Sequence, residues 1–166
     1  MSCDHYRAGL ISQNADGDSE GSVTFTRIDT TSAAAPNRFI SGIAIDPANA
    51  NHAWISYSGY SATTPTTPGH VFEVTYDPTT QTATFADRSA NLRDLPVTDI
   101  AFDPATGDLY SSSDFGVYKF KAGGTQWALA AKGMPNVEVA GITLVPGARV
   151  LYAATHGLGA WSLKLP

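Results

Sequence analysis

Five side chains have types and settings that could do chemistry. Asp114 stands in SSSDFGVYKF, a carboxylate beside a glycine between two apolar runs. It can bond the amides of its own turn or, with a second acid, perform general acid–base work. Asp99 is the second acid at hand, because it aligns with Gly42 and Gly141 in two sister segments and so belongs to one segment alone. Turn bonding by Asp114 and hydration of Asp99 on a channel side are the competing readings. His156, in THGLGAW, takes the place of Asp114 in the last segment. His5, His52 and His70 have no ligand spacing with it and Cys3 stands alone, so no metal site is predicted and a plain turn histidine competes. Tyr57 and Tyr60 border SGYSATTPTTPGH (58–70), which is either a mobile surface loop or a ligand-facing lid. Asn14 to Glu20 alternates acids like a calcium loop. Ser19 and Phe25 replace the glycine and the acid that an EF-hand requires, so loose calcium binding at a turn and a plain polar turn both stay open. No other cofactor is implied.

These residues are positioned by a repeated β-meander. In Leu95 to Phe120, apolar runs are separated by Asp103-Pro104, by Gly107-Asp108 and by the break before Gly116, which reads as strand, turn, strand, turn, strand. The pattern recurs at Phe39 to Val74 and at Val139 to Leu163. Ile43-Ala44-Ile45-Asp46-Pro47 matches Ile100-Ala101-Phe102-Asp103-Pro104 and Ile142-Thr143-Leu144-Val145-Pro146. The prolines are 57 and 42 residues apart, near the roughly 40–50-residue period of four-stranded propeller blades. The extra length lies in the Pro-rich loop, which cannot continue a ladder, and in Ser89 to Leu95.

Ala83 to Ala86 and Gln126 to Leu129 are predicted fourth strands. Gly9 to Ser12 and Val23 to Thr26 are predicted as the third and fourth strands of a preceding blade. The expectation is an all-β chain, one propeller segment over 1–166: blade remnants at 9–28, blades at 39–88 and 96–130, and a partial blade at 138–163. That is about three blades in an open ring, with thirteen strands. Trp54, Phe72, Phe85, Phe102, Tyr118, Trp127 and Trp161 are predicted to fill the wedges between diverging sheets. Gly116 and Gly159, beside a sharp reversal, are predicted to adopt positive φ or to admit a close neighbour. Open end faces near Val23 and Ile142 predict association with itself or with missing blades of a chain of roughly 300 residues, seven blades at that period.

Composition narrows the partners. A net charge of −5 with no Lys/Arg cluster argues against nucleic acid, and no apolar run approaches the roughly 20 residues that span a bilayer. The start, MSCDHYRAGL, lacks the basic and apolar regions of a secretory leader.

The chain resembles the propellers with Asp-box, or BNR, repeats found in sialidases, xyloglucanases and sortilin-type receptors. Ser12, Asp16, Gly17, Thr24 and Phe25 resemble the family turn Ser-x-Asp-x-Gly-x-x-Thr-Trp, with an insertion at Asp18 to Ser22. Gly123, Gly124, Thr125 and Trp127 resemble it with Ala122 where the acid often stands, and Tyr76-Asp77-Pro78 through Phe85 is looser. The ending from Leu151 is similar to the closing blade of bacterial members. The resemblance implies a C-terminal propeller segment of an exported, secreted or cell-surface bacterial protein. Two functions follow from it: a non-catalytic scaffold that binds carbohydrate or protein, and a segment of a xyloglucanase- or sialidase-like glycoside hydrolase. In xyloglucanases, catalytic carboxylates occupy a Thr-Asp-x-Gly-Gly-x-Tyr setting, which Asp114, Gly116 and Tyr118 resemble without the second glycine. Hydrolysis would need the two carboxylates about 5–5.5 or 6.5–9.5 Å apart.

Overall fold

The computed structural model describes residues 9–11, 25–36, 38–62 and 69–166, and for 9–11 the backbone alone. The strands are β1 (Gly9–Ile11), β2 (Phe25–Arg27), β3 (Ile40–Asp46), β4 (Asn49–Tyr57), β5 (Val71–Asp77), β6 (Thr82–Asp87), β7 (Val97–Asp103), β8 (Asp108–Ser113), β9 (Gly116–Phe120), β10 (Trp127–Leu129), β11 (Val139–Val145), β12 (Val150–Thr155) and β13 (Ala160–Lys164). The only helical elements among the described residues are three 3₁₀ turns of three residues each. The fold is all-β: an antiparallel β1–β2 pair, then blade 1 (β3-β4-β5-β6), blade 2 (β7-β8-β9-β10) and a three-stranded blade 3 (β11-β12-β13). This is a partial propeller with consecutive blades. Asn14 to Glu20, most of the Ser12–Phe25 box, and residues 63–68 of the Pro-rich loop lie outside the described residues.

Alternating apolar residues explain why each sheet is a sheet, and the wedges explain why the sheets stack. Between blades 1 and 2, Trp54, Val71, Leu92, Val97, Ile100, Leu109 and Trp127 are buried together. Trp54 stacks on Phe102 with ring centroids 4.3 Å apart. Between blades 2 and 3 the core is Ala101, Tyr110, Val117, Val139, Ile142, Leu151, Ala153 and Leu165. Ile142 is therefore covered by blade 2, which corrects the expectation that it lies on an open end face. The open side of blade 3 presents Val145 and Tyr152 instead. On the far side of blade 1, Ile43 and Ile45 are exposed, whereas Ile100 and Ile142, equivalent to Ile43, are buried and Phe102 and Leu144, equivalent to Ile45, are half-buried.

Each inner strand carries the same bulge, at Ser41, Thr98 and Ala140, where the register slips. A bulge re-aims the extra residue, and in blades 1 and 2 it turns a hydroxyl toward the next blade. Ser41 Oγ donates to the Val97 carbonyl at 2.5 Å, and Thr98 Oγ1 to the Val139 carbonyl at 2.5 Å. Gly116 and Gly159 both have positive φ (124° and 76°), as predicted. The turn at Asp77 is closed by its carboxylate, which accepts the Thr79 amide at 2.8 Å.

Candidate ligand-binding rim

The strands of a blade all reverse at its two ends. At one of them the second-to-third-strand turns (58–62 with 69–70, 114–115, 156–159) meet the linkers entering the first strands (38–39, 94–96, 136–138). Asp114, Tyr60 and His156 all stand there. The Tyr60 hydroxyl donates to Asp114 Oδ2 at 2.9 Å, joining the loops of blades 1 and 2, and both residues are solvent-accessible. The same bond pushes the Tyr60 phenol above its ordinary value. Phe39 and Phe115 are exposed at this end as well. His156 is exposed and pairs with Glu138 at 3.0 Å, and its amide donates to the Glu138 carbonyl at 2.9 Å.

Two candidates lie elsewhere. Tyr57 is 1% exposed and packs edge-on against Phe72 at 5.6 Å, so it belongs to the core of blade 1 and not to a lid. Burial, then the charge of Asp29, pushes its phenol far up, and its oxygen has no hydrogen-bond partner among the described residues. Asp99 sits between the inner strands of three blades. Oδ1 accepts the Ile100 amide at 2.8 Å and Oδ2 accepts the Ile142 amide at 2.9 Å. A Cβ on Gly42 would lie 2.5 Å from Oδ1 and one on Gly141 would lie 3.5 Å from Oδ2. The two glycines aligned with Asp99 thus vacate the space its carboxylate fills. Burial pushes this carboxyl up, against the pull of the two amides. Asp99 and Asp114 engage different neighbours, one the backbone between blades and the other a rim phenol.

A polar cluster beneath the rim escaped the sequence reading. His70 is fully buried, with Nδ1 3.1 Å from the Tyr57 carbonyl and Nε2 3.2 Å from Asp94 Oδ1. Arg38 donates to the Gly59 carbonyl and to Ser61 Oγ, both at 2.9 Å, while the Ser61 amide and hydroxyl each donate to Asp94 Oδ1 at 2.7 Å. Serine, histidine and aspartate meet here, but Ser61 and His70 both address the Asp94 carboxylate and not each other, so the three do not line up as a serine–histidine–aspartate relay. The cluster anchors both ends of the Pro-rich loop and ties it to blade 2. One signal was readable: His70 occupies the position that is Gly116 and Gly159 in the sister blades. No group of three or more metal-ligating side chains occurs among the described residues.

No family model and no curated protein matches the chain. Solved structures do. A GH74 enzyme from Niastella koreensis is similar at 19% identity and TM-score 0.55, over 84% of this chain and 23% of that one. A gluconolactonase from Xanthomonas campestris is similar at 20% identity and TM-score 0.55, over 78% and 38%. The extracellular domain of a hybrid two-component system from B. thetaiotaomicron is similar at 18% identity and TM-score 0.51, over 80% and 16%. The propeller architecture is shared. The chain spans well under half the length of each of these structures. No helix among the described residues is long and apolar enough to cross a membrane.

Proposed function

We propose that this chain is a sector of a binding propeller of the Asp-box kind in an exported protein, and that its rim at Tyr60 and Asp114 takes a polyhydroxylated ligand, a polysaccharide chain. The Tyr60–Asp114 bond carries this reading. It presents a donor–acceptor pair to solvent across two blades, with the exposed ring of Tyr60 as an apolar platform, the mixture that orients a sugar. Phe39 and Phe115 extend the apolar surface at the same end, and His156 is placed to meet a longer chain. The gluconolactonase and the GH74 enzyme among the similar structures are in keeping with a sugar-related ligand.

The second reading, a sector of a glycoside hydrolase, is favoured by one observation: burial raises the Asp99 carboxyl, the direction a general acid needs. Both oxygens of Asp99 hold backbone amides, however, which suits a structural acid better. Calorimetric titration with soluble β-glucans, together with an assay for released reducing ends, tests both. Tyr60→Ala and Asp114→Ala are expected to weaken binding at least tenfold with no reducing ends released by any form. Unchanged affinity in both variants would refute the binding rim. Hydrolysis lost in Asp99→Asn or Asp114→Ala would establish the enzyme instead. The exposed Ile43 and Ile45 on one end face and Tyr152 on the other match the two halves of the internal blade contacts. They suit further blades of a longer chain or of a second copy.

A further inference from the structure

Tyr60 stands in the loop between β4 and β5, which runs from Ser58 to His70, whereas the matching turns of blades 2 and 3 are only 114–115 and 156–159. A loop of that length has many conformations open to it, and ordering it costs entropy. The Tyr60 hydroxyl nevertheless meets Asp114 Oδ2 at 2.9 Å, on the next blade. One exposed hydrogen bond is too weak to order the loop by itself.

The residues on both sides of Tyr60 are fastened. Arg38, in the linker entering β3, donates to the Gly59 carbonyl and to Ser61 Oγ, both at 2.9 Å. Asp94, in the linker entering β7, accepts the Ser61 amide and the Ser61 hydroxyl, each at 2.7 Å. The base of the loop is closed by the Tyr57 amide donating to the His70 carbonyl at 2.8 Å and the Ser58 amide donating to the Phe39 carbonyl at 3.0 Å. His70 is fully buried and backs Asp94 Oδ1 from inside, at 3.2 Å. Tyr60 is 47% exposed and sits between two clamped neighbours, its phenol carried across the blade boundary.

Asp94 is delivered by a strained stretch of backbone. Between β6 and β7, Ala90 has φ 46° and Arg93 has φ 58° with ψ −132°, positive values at residues that carry a side chain. Arg93 lies outside even the small left-handed helical region. Such backbone persists where neighbouring contacts over-determine it, and it gathers at ligand clamps. Here Leu92 is buried in the wedge between blades 1 and 2, Asn91 bonds the amide and the carbonyl of Trp127 at 2.7 and 2.9 Å, and Asp94 holds Ser61.

We infer that Arg38 and Asp94 are positioning residues of the rim, a polar latch that holds the Tyr60 phenol at Asp114 before any ligand arrives. The consequence for binding rests on the rim reading given above, while the placement of Tyr60 does not. A phenol already in place spares the ligand the entropy of fixing the loop. The latch belongs to blade 1, because His70 stands where the sister blades have Gly116 and Gly159.

The test uses the intact protein labelled with carbon-13 at tyrosine Cζ, the Tyr60 resonance being identified by its loss in Tyr60→Phe. In the parent, the bond to Asp114 holds the Tyr60 phenol above its ordinary 10.0, and an alkaline titration reads this. Asp94→Ala and Asp94→Asn remove the same charge, but the amide oxygen of asparagine can still accept from Ser61. Asp94→Ala is therefore expected to let the Tyr60 titration fall toward the ordinary value and to weaken β-glucan binding at least fivefold. Asp94→Asn is expected to keep most of the upward shift and to bind within about twofold of the parent. Arg38→Met should lower the Tyr60 titration too, although losing a nearby cation by itself raises a phenol. Should an altered thermal melt show that Asp94→Ala disturbs the fold, Arg38→Met decides by that sign. A parent that binds no β-glucan would refute the rim reading alone, because the phenol still reports the placement of Tyr60. Equal titrations in Asp94→Ala and Asp94→Asn, a Tyr60 titration unmoved by Asp94→Ala, or a released phenol with undiminished β-glucan affinity would each overturn the inference.

Discussion

The wedge between blades 1 and 2 and the wedge between blades 2 and 3 are built on one backbone plan with opposite completeness. In the first, Trp127 is buried and its Nε1 donates to the Arg88 carbonyl at 2.9 Å, so the fourth strand of one blade is fastened to the chain leaving the other. In the second, Met134, Trp161 and Leu163 line an open groove. Polar closure differs too. Blade 1 holds an internal chain of charges, Asp46–His52–Glu73–Arg88. Blades 2 and 3 are joined by Asp103, fully buried, and Arg149, whose guanidinium also reaches the Pro166 carbonyl at 2.8 Å. The repeat fixes where strands go, while single side chains decide how tightly neighbouring blades are held.

Trp127→Ala against Trp161→Ala is the sharpest way to break this comparison. Truncating a buried tryptophan costs roughly 3–5 kcal/mol, so Trp127→Ala should lose that much in denaturant unfolding. Trp161→Ala, at the open groove, should lose less than half as much. Equal losses would mean that the two wedges are equally packed.

Arg149→Met is expected to rank next, at about 2 kcal/mol, because it leaves the Asp103 carboxylate buried without its cation. This is below the roughly 3–5 kcal/mol of a fully buried pair, since the guanidinium is partly exposed. Burial pushes the Asp103 carboxyl up, but Arg149, Thr106 and the Ala105 amide together hold it below the ordinary 3.8. Its contribution is therefore complete above pH 3.8 and lost as pH falls through the depressed value. Unfolding curves between pH 2 and 6 should show a shallower acid limb in Arg149→Met than in the parent.

Glycine substitutions probe the contact around Asp99. Gly42→Ala forces a Cβ against Asp99 Oδ1 and should destabilise by roughly 1–3 kcal/mol, whereas Gly141→Ala meets only ordinary contact and should be close to neutral. Adding Asp99→Gly to Gly42→Ala should recover part of the loss. A loss unchanged in the double variant would place the strain somewhere other than the carboxylate.

The smallest effect is expected at His52. Burial lowers its pKa, but Asp46 at 3.1 Å and Glu73 at 2.8 Å raise it further, so the net shift is upward. Its contribution is present below the ordinary 6.5 and fades as pH rises through the folded value. Glu73 is shifted the other way. Burial pushes it up, but Arg88 and His52 take it below 4.5, so its contribution is lost as pH falls through that lower value. The charge chain should stabilise blade 1 most between about pH 4.5 and 6.5, by under ~1 kcal/mol. His52→Gln should flatten that maximum in thermal melts across the range.

Much of this molecule was legible in the sequence. The period-2 runs, the Asp-Pro and Gly-Asp turns and the aligned Ile-Ala-Ile-Asp-Pro segments determined which residues form strands and in what order they pair, because turns and alternation are local properties. The positive φ at Gly116 and Gly159 was legible for the same reason. The aromatic residues Trp54, Phe102 and Trp127 of the wedge were legible too, but the polar links between blades were not. The Ser41 and Thr98 hydroxyls, the fit of Asp99 between Gly42 and Gly141, and the Arg38–Ser61–His70–Asp94 cluster link residues tens of positions apart, and their partners are defined only when sheets stack. The meeting of Tyr60 with Asp114, the burial of Tyr57 and Ile142, and the groove beside β13 belong to the same class. A strand's alternation says that a side chain faces one side or the other, and only the neighbouring blade decides whether that side is core, rim or groove.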